Sequence, residues 1–172
     1  MARNVEVKAR VDDPEALRAR VETLSDGLGK TLDQEDVFFE VPRGRVKLRT
    51  FSDGRGELIA YDRPDEAGPA VSDYHILRTE NPDGLRSFLS DALGVRGVVR
   101  KRRLLYRIGR TRVHLDEVEE LGSFLELEVV LKDDESEEDG ARTADRILSD
   151  LGVPDACRVA SAYIDLLEDS SG

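Results

Sequence analysis

Only one of the 172 residues is a cysteine, Cys157; the single methionine is the first residue, and tryptophan is absent. A lone cysteine has no partner for an internal disulfide, and thiolate metal sites use several cysteines, so neither a disulfide framework nor a thiolate metal centre is expected. Cys157 therefore reads as a structural residue. Long apolar runs are missing as well: none approaches the ~18–20 residues needed to span a membrane. The opening MARNVEVKARV has no signal-peptide apolar stretch. The expectation is a cytoplasmic protein without a membrane partner. Basic residues are in deficit, 26 Lys and Arg against 37 Asp and Glu, giving a formal net charge of −11. Such a charge repels nucleic acid, so no nucleic-acid partner is expected. The length suits a single domain over residues 1–172, expected as a monomer or homodimer.

The basic residues that are present lie in short runs, Arg45-Val46-Lys47-Leu48-Arg49 and Arg100-Lys101-Arg102-Arg103, whereas much of the acid lies between Asp133 and Asp139. A cationic focus in an anionic chain is the feature to explain. Strict alternation of polar and apolar residues predicts strands over Asn4–Val11, Val37–Val41, Arg45–Phe51, Glu57–Arg63, Ser72–Arg78, Val98–Arg107, Arg112–Val118 and Phe124–Leu131. Helices are predicted after Asp13-Pro14, with Leu17, Val21 and Leu24 on one face, and after Asn81-Pro82, with Leu85, Phe88, Leu89, Ala92 and Leu93 before a stop at Gly94. A third runs from about Ser136 to Leu151 with Ala144, Ile147, Leu148 and Leu151 inward, and Gly140 weakens its first turns. The halves are weakly alike, since Glu6-Val7-Lys8 and Glu126-Leu127-Glu128 each precede an acidic turn and a helix. The fold class expected is α+β, an eight-stranded antiparallel β-barrel with helices packed outside.

If helices cover the apolar strand faces, the charged faces line the lumen. Glu6, Asp116, Glu126 and Glu128 would then face Lys8, Arg10, Arg45, Lys47, Arg49, Arg63, Lys101, Arg103 and Arg112. Charges taken out of water need partners. Carboxylates at alternate strand positions suit a hard divalent cation, and convergent Arg and Lys suit a phosphate chain. A lattice of internal salt bridges without a ligand is the competing arrangement.

Several of these segments resemble, in order, the CYTH or triphosphate tunnel family: Asn4-Val5-Glu6-Val7-Lys8 is similar to its ExExK signature, followed by Gln34-Glu35-Asp36-Val37-Phe38-Phe39, Arg45–Arg49, Arg100–Arg103, His114-Leu115-Asp116-Glu117-Val118 and Phe124-Leu125-Glu126-Leu127-Glu128. The resemblance implies an eight-stranded tunnel, a triphosphate substrate and Mg²⁺ or Mn²⁺. It assigns Glu6, Glu126, Glu128 and Asp116 to the metal, and Lys8, Arg45, Lys47, Arg49, Arg63, Lys101, Arg103 and Arg112 to the substrate. Lys8, Glu6 and Arg49 are the residues expected to act in catalysis. Two positions depart from the pattern: Asn4 replaces the first glutamate of the signature, and Phe38 stands where tyrosine is common. Ser161-Ala162-Tyr163-Ile164-Asp165-Leu166-Leu167 resembles the closing segment, where Arg158 is the basic residue available.

The function expected is metal-dependent hydrolysis of a triphosphate, whether inorganic triphosphate, thiamine triphosphate or ATP. One alternative is a class IV-type adenylyl cyclase forming cyclic AMP and pyrophosphate from ATP; another is a non-catalytic polyphosphate or nucleotide-binding module. His75 and His114, the only histidines, read as packed or solvated residues, with His114 able to face the lumen beside Asp116.

Overall fold

The structure is a computed structural model that describes residues 2–62 and 69–171. Along the chain run β1 (Ala2–Arg10), α1 (Pro14–Leu24), β2 (Lys30–Phe39), β3 (Arg45–Phe51), β4 (Gly56–Asp62), β5 (Ala70–Thr79), α2 (Pro82–Leu93), β6 (Val95–Ile108), β7 (Thr111–Val118), β8 (Gly122–Val130), α3 (Glu137–Asp150), β9 (Arg158–Val159) and α4 (Tyr163–Ser170). The strands pair in the order β5-β4-β3-β2-β6-β7-β8-β1, and β1 pairs in turn with β5, so the sheet closes on itself. Every pairing is antiparallel. β5 pairs with β1 only as far as Glu6, and the short β9 takes its place against Lys8 and Ala9. The expected closed eight-stranded α+β barrel is therefore the fold.

Local chemistry sets the helix ends where the sequence places them. Asp13 Oδ1 accepts from Ala16 N at 3.1 Å ahead of a first-turn proline, and Asn81 Oδ1 accepts from Gly84 N at 3.0 Å in the same way. Helix α2 stops at Gly94, whose φ of 83° costs glycine little. Helix α3 starts on a reciprocal Ser136–Asp139 cap. Gly140, which the sequence marks only as a weak point of α3, has a packing role. A Cβ there would stand 2.6 Å from Val5 Cγ2 and 2.6 Å from Leu131 Cδ2, so its absence lets the helix lie close against the barrel.

Helices α1 and α3 cover one side through Leu17, Val21, Ala144, Ile147 and Leu148, which pack on Val5, Val7, Leu125 and Leu127. Leu85 and Leu89 of α2 cover Val37, Phe39 and Leu48 on another side, while Phe88 is exposed. Each fully buried Leu or Val contributes about 1.5–3 kcal/mol of transfer free energy, so the outer apolar faces hold the barrel and leave its interior to polar groups. No helix among the described residues is long and apolar enough to cross a membrane.

Two elements exceed the sequence reading. β2 begins at Lys30 rather than Val37, because residues 31, 33 and 35 on its outer face are polar: Asp33 pairs with Arg102, and Glu35 with Arg86 and Arg100. The closing segment forms α4. Its Tyr163 and Ile164 pack with Phe38, Val99, Val118 and Phe124, all near one end of the barrel, so residues 160–163 lie across that end.

Candidate active site

Alternation puts Asn4, Glu6 and Lys8 of β1 on the inner face, with Gln34, Asp36 and Phe38 of β2, Arg45, Lys47 and Arg49 of β3, Lys101 and Arg103 of β6, Arg112 and His114 of β7, and Glu126 and Glu128 of β8. They line a cavity of about 370 Å³, a size within the ~300–1,000 Å³ range of small-ligand sites. Leu32, Phe51, Ile76 and Leu105 line its other end, away from residues 160–163.

At the centre lies Asp36, 1% exposed. Arg49 donates to it through Nε at 2.7 Å and Nη2 at 2.8 Å, Lys47 Nζ stands at 3.0 Å, and Lys101 Nζ at 3.5 Å. Burial alone would push the Asp36 carboxyl up, but Arg49, Lys47 and Lys101 together hold it well below the usual carboxylate range. Burial drives the Lys101 ammonium well down, and Arg103 adds to it against the pull of Asp36. Lys47 is lowered by burial first and by Arg49 next. One carboxylate thus serves three basic side chains, so basic groups outnumber acidic ones at this point.

Next to it lies the acidic side. Glu126 Oε1 stands 3.3 Å from both Arg103 Nη2 and His114 Nδ1, and its Oε2 is 3.8 Å from Lys8 Nζ. Glu128 accepts from Arg112 Nε at 2.7 Å and is the register partner of Glu6. Burial raises the Glu126 carboxyl, and the His114 hydrogen bond with the Arg103 and Lys8 charges overcomes that, leaving it well below its ordinary value. For Glu128, burial is likewise outweighed by His114 and Arg112. One ligand atom each from His114, Glu126 and Glu128 lies within 4.8 Å of the others. Two carboxylates and an imidazole form a donor set that fits a divalent cation.

Lys8 is fixed by Ser161 O at 3.2 Å and by the Tyr163 ring, 3.9 Å from its Nζ. Arg45 donates to Asp165 Oδ2 of α4 at 2.9 Å. The segment across the barrel end is thereby tied to two of the cations.

Asp116 is placed differently from the expectation. It shares its face with His114, but both its oxygens are taken by Arg103, at 2.7 and 2.8 Å, and one also accepts from Tyr163 OH at 2.7 Å. It lies behind the cavity wall, at the end that Tyr163 covers, and positions Arg103. Arg10, on the same face as Lys8, is exposed against the Phe124 ring, because β1 has run past the end of the cavity there. Arg158 turns to Asp145 and Asp155 on the outside. Arg63 lies outside the described residues. Sequence pattern assigns no role to Asp36 or Tyr163; in register Asp36 faces Arg49 on β3 and Val99 on β6, a pairing that local pattern does not show.

The Asp116 carboxyl, pushed up by burial but pulled down harder by Arg103, lies at about 2 against an ordinary 3.8. A folded-state value below the unfolded one means the stability is fully present above pH 3.8 and is lost as pH falls through about 2. Asp116→Asn is therefore expected to cost roughly 2 kcal/mol from this linkage at neutral pH, at 1.36 kcal/mol per pKa unit. Denaturant titrations of both proteins should show the gap narrowing between pH 4 and pH 2.

Comparison with known proteins agrees with this architecture. The CYTH domain family model matches residues 2–163. A search of curated proteins finds no significant match. Among solved structures, PH1012 from Pyrococcus horikoshii OT3 superposes with a TM-score of 0.86 at 26% identity, over 95% of this chain and 98% of that one. A candidate adenylate cyclase from Vibrio parahaemolyticus gives 0.76 at 21% identity, over 96% and 97%. HpAC1 from Hippeastrum, a candidate adenylyl cyclase with a dominant triphosphatase activity, gives 0.68 at 16%, over 99% and 96%. With nearly its whole length matched by the family model and its strands closed into the same barrel, the chain belongs to the CYTH domain family.

Proposed function

We propose that the barrel interior binds a small-molecule triphosphate together with Mg²⁺ or Mn²⁺ and hydrolyses it. The observation that carries this reading is the sharing of Asp36 by Lys47, Arg49 and Lys101. A self-sufficient lattice of salt bridges would match charges one to one, whereas here buried cations outnumber the carboxylate they surround. A phosphate chain would supply the missing negative charge, with Arg as a bidentate donor and Lys as a point charge.

In this reading Lys47, Arg49, Lys101 and Arg103 hold the phosphate oxygens, with Arg45 and Arg112 at the flanks. Arg49 is already oriented by its two bonds to Asp36, and Arg103 by its two bonds to Asp116. Such pre-set donors spend little reorganisation when charge develops on the phosphoryl group. Lys8, clamped between Ser161 O, Glu126 and the Tyr163 ring, presents its ammonium to the same region. Glu126 and Glu128 with His114 would hold the divalent ion, and Glu6 adds a further carboxylate beside Glu128. Bound there, the ion would polarise phosphate oxygens and lower the pKa of an attacking water. The triphosphatase activity of HpAC1 supports testing hydrolysis before cyclisation.

The decisive assay incubates the chain with tripolyphosphate, thiamine triphosphate and ATP, each with Mg²⁺ or Mn²⁺, and follows phosphate, pyrophosphate and cyclic AMP. Phosphate release is expected. Cyclic AMP with pyrophosphate would identify a cyclase, and calorimetric binding without turnover a binding module. A direct test of the cradle is Lys47→Met. Asp36 keeps Arg49 and Lys101, so stability should change little, while triphosphate affinity falls on the order of tenfold or more, the loss of one charge-assisted contact of ~1.5–3 kcal/mol. Unchanged affinity in the folded variant would remove Lys47 from the site.

A further inference from the structure

We infer that His114 is itself a ligand of the divalent ion and shifts the choice of metal from Mg²⁺ toward a transition ion such as Mn²⁺. The inference rests on the proposed function for its biological use, though not for its test. Three observations converge on it. His114 Nδ1 lies 3.3 Å from Glu126 Oε1 and 4.0 Å from Glu128 Oε1. Donors bound to one ion at ~2.0–2.2 Å stand roughly 3–4 Å apart, so these separations already suit a common cation. The imidazole is only 4% exposed and lines the cavity. A buried ring that lines the cavity and turns Nδ1 to two carboxylates is placed as a ligand is placed.

The third observation is at Asn4. With its amide oriented to satisfy both ends, Oδ1 accepts from Arg112 Nη2 at 3.3 Å and Nδ2 donates to Arg3 O at 3.2 Å. Its oxygen already accepts from an arginine, and the position contributes no charge to a cation. The donor set has one carboxylate fewer than the ExExK pattern would give, and a neutral nitrogen lies among the remaining oxygens. Mg²⁺ demands oxygen donors and sheds water reluctantly, whereas imidazole favours transition ions. Asn4 and His114 therefore act in the same direction on metal choice.

The test uses the full chain, Mn²⁺ and Mg²⁺ alone, and no triphosphate. Calorimetric titration should show Mn²⁺ bound at least about tenfold more tightly than Mg²⁺, and His114→Gln should remove on the order of tenfold of the Mn²⁺ affinity while changing that for Mg²⁺ by less than about threefold. Pulsed electron paramagnetic resonance of the Mn²⁺-loaded protein should show coupling to an imidazole nitrogen. His75, the other histidine, is exposed on the outer face of β5, and a His75→Gln control assigns the signal. Absence of nitrogen coupling in the unaltered protein overturns the inference without reliance on any variant, as does an unchanged Mn²⁺ to Mg²⁺ ratio in folded His114→Gln. Nitrogen-coupled Mn²⁺ in a chain that neither binds nor turns over a triphosphate would support the inference and overturn the proposed function. Triphosphate turnover without nitrogen coupling would do the reverse.

Discussion

Replacing Glu126 and Glu128 together by glutamine is expected to reduce metal-dependent triphosphate turnover on the order of 10³-fold or more, equivalent to about 4 kcal/mol of lost metal-assisted stabilisation. Glutamine keeps the length of both side chains and removes the charge that a divalent ion requires. The two carboxyls also matter without metal. Each is held below its ordinary value in the fold, Glu126 against its burial by His114, Arg103 and Lys8, and Glu128 against its burial chiefly by His114 and Arg112. Removing them leaves Lys8 and Arg112 short of a partner, so the metal-free variant should also melt earlier, and the assay belongs well below its melting temperature. Triphosphate binding measured without metal separates the two effects, since the Asp36 side of the cavity is intact. Turnover within tenfold of the parent would show that the ion is held elsewhere.

The largest effect on stability is expected from Asp36→Asn. The substitution leaves Lys47, Arg49 and Lys101 buried together with no carboxylate between them, the circumstance in which breaking a buried pair costs about 3–5 kcal/mol. For a chain of this size that is a fall in melting temperature of roughly 10 °C. Saturating tripolyphosphate should then raise the variant's melting temperature by more than it raises the parent's, because the ligand brings negative charge to three cations that have lost the carboxylate between them. A variant that is destabilised but gains no more from the ligand than the parent would show that these cations do not face it. The charge deficit also gives a pH sign. The Asp36 carboxyl is depressed in the folded state, so its contribution in the parent is fully present above its unfolded pKa and is lost as acid takes pH down through the folded value.

Much of this architecture is legible in the sequence, for a plain reason. Period-2 alternation survives wherever one face of a strand is apolar, as in β1, β3, β7 and β8, and there the lumenal residues follow at once. It fails for the first half of β2, where the outer face carries ion pairs instead of a core, so alternation marks this strand only from Val37, one residue past Asp36. Alternation also reports which face a residue occupies and nothing about how far along the barrel it sits. Asp116 and Arg10 share the correct face and miss the cavity because one lies under Tyr163 and the other beyond the end. Helix α4 has only eight residues and is held by contacts with strands far away in sequence, which local pattern does not register. His114 looked unremarkable as a single residue. Its importance depends on Glu126, its register partner on a strand formed later in the chain.

Residues 160–163 cover one end of the lumen with the buried Tyr163 ring, while Leu32, Phe51, Ile76 and Leu105 line the other. In the proposed function, a triphosphate that entered past those four side chains to reach Lys101 and Asp36 and left the same way would bar the next from entering. Products would then have to clear that end before the next molecule could pass, which would couple the pace of successive cycles to escape as well as to the proposed bond cleavage. The same constraint separates two kinds of blocker. One must carry enough negative charge to compete for the deep cations, and the other needs only an apolar group that lodges among those four side chains and bars the way.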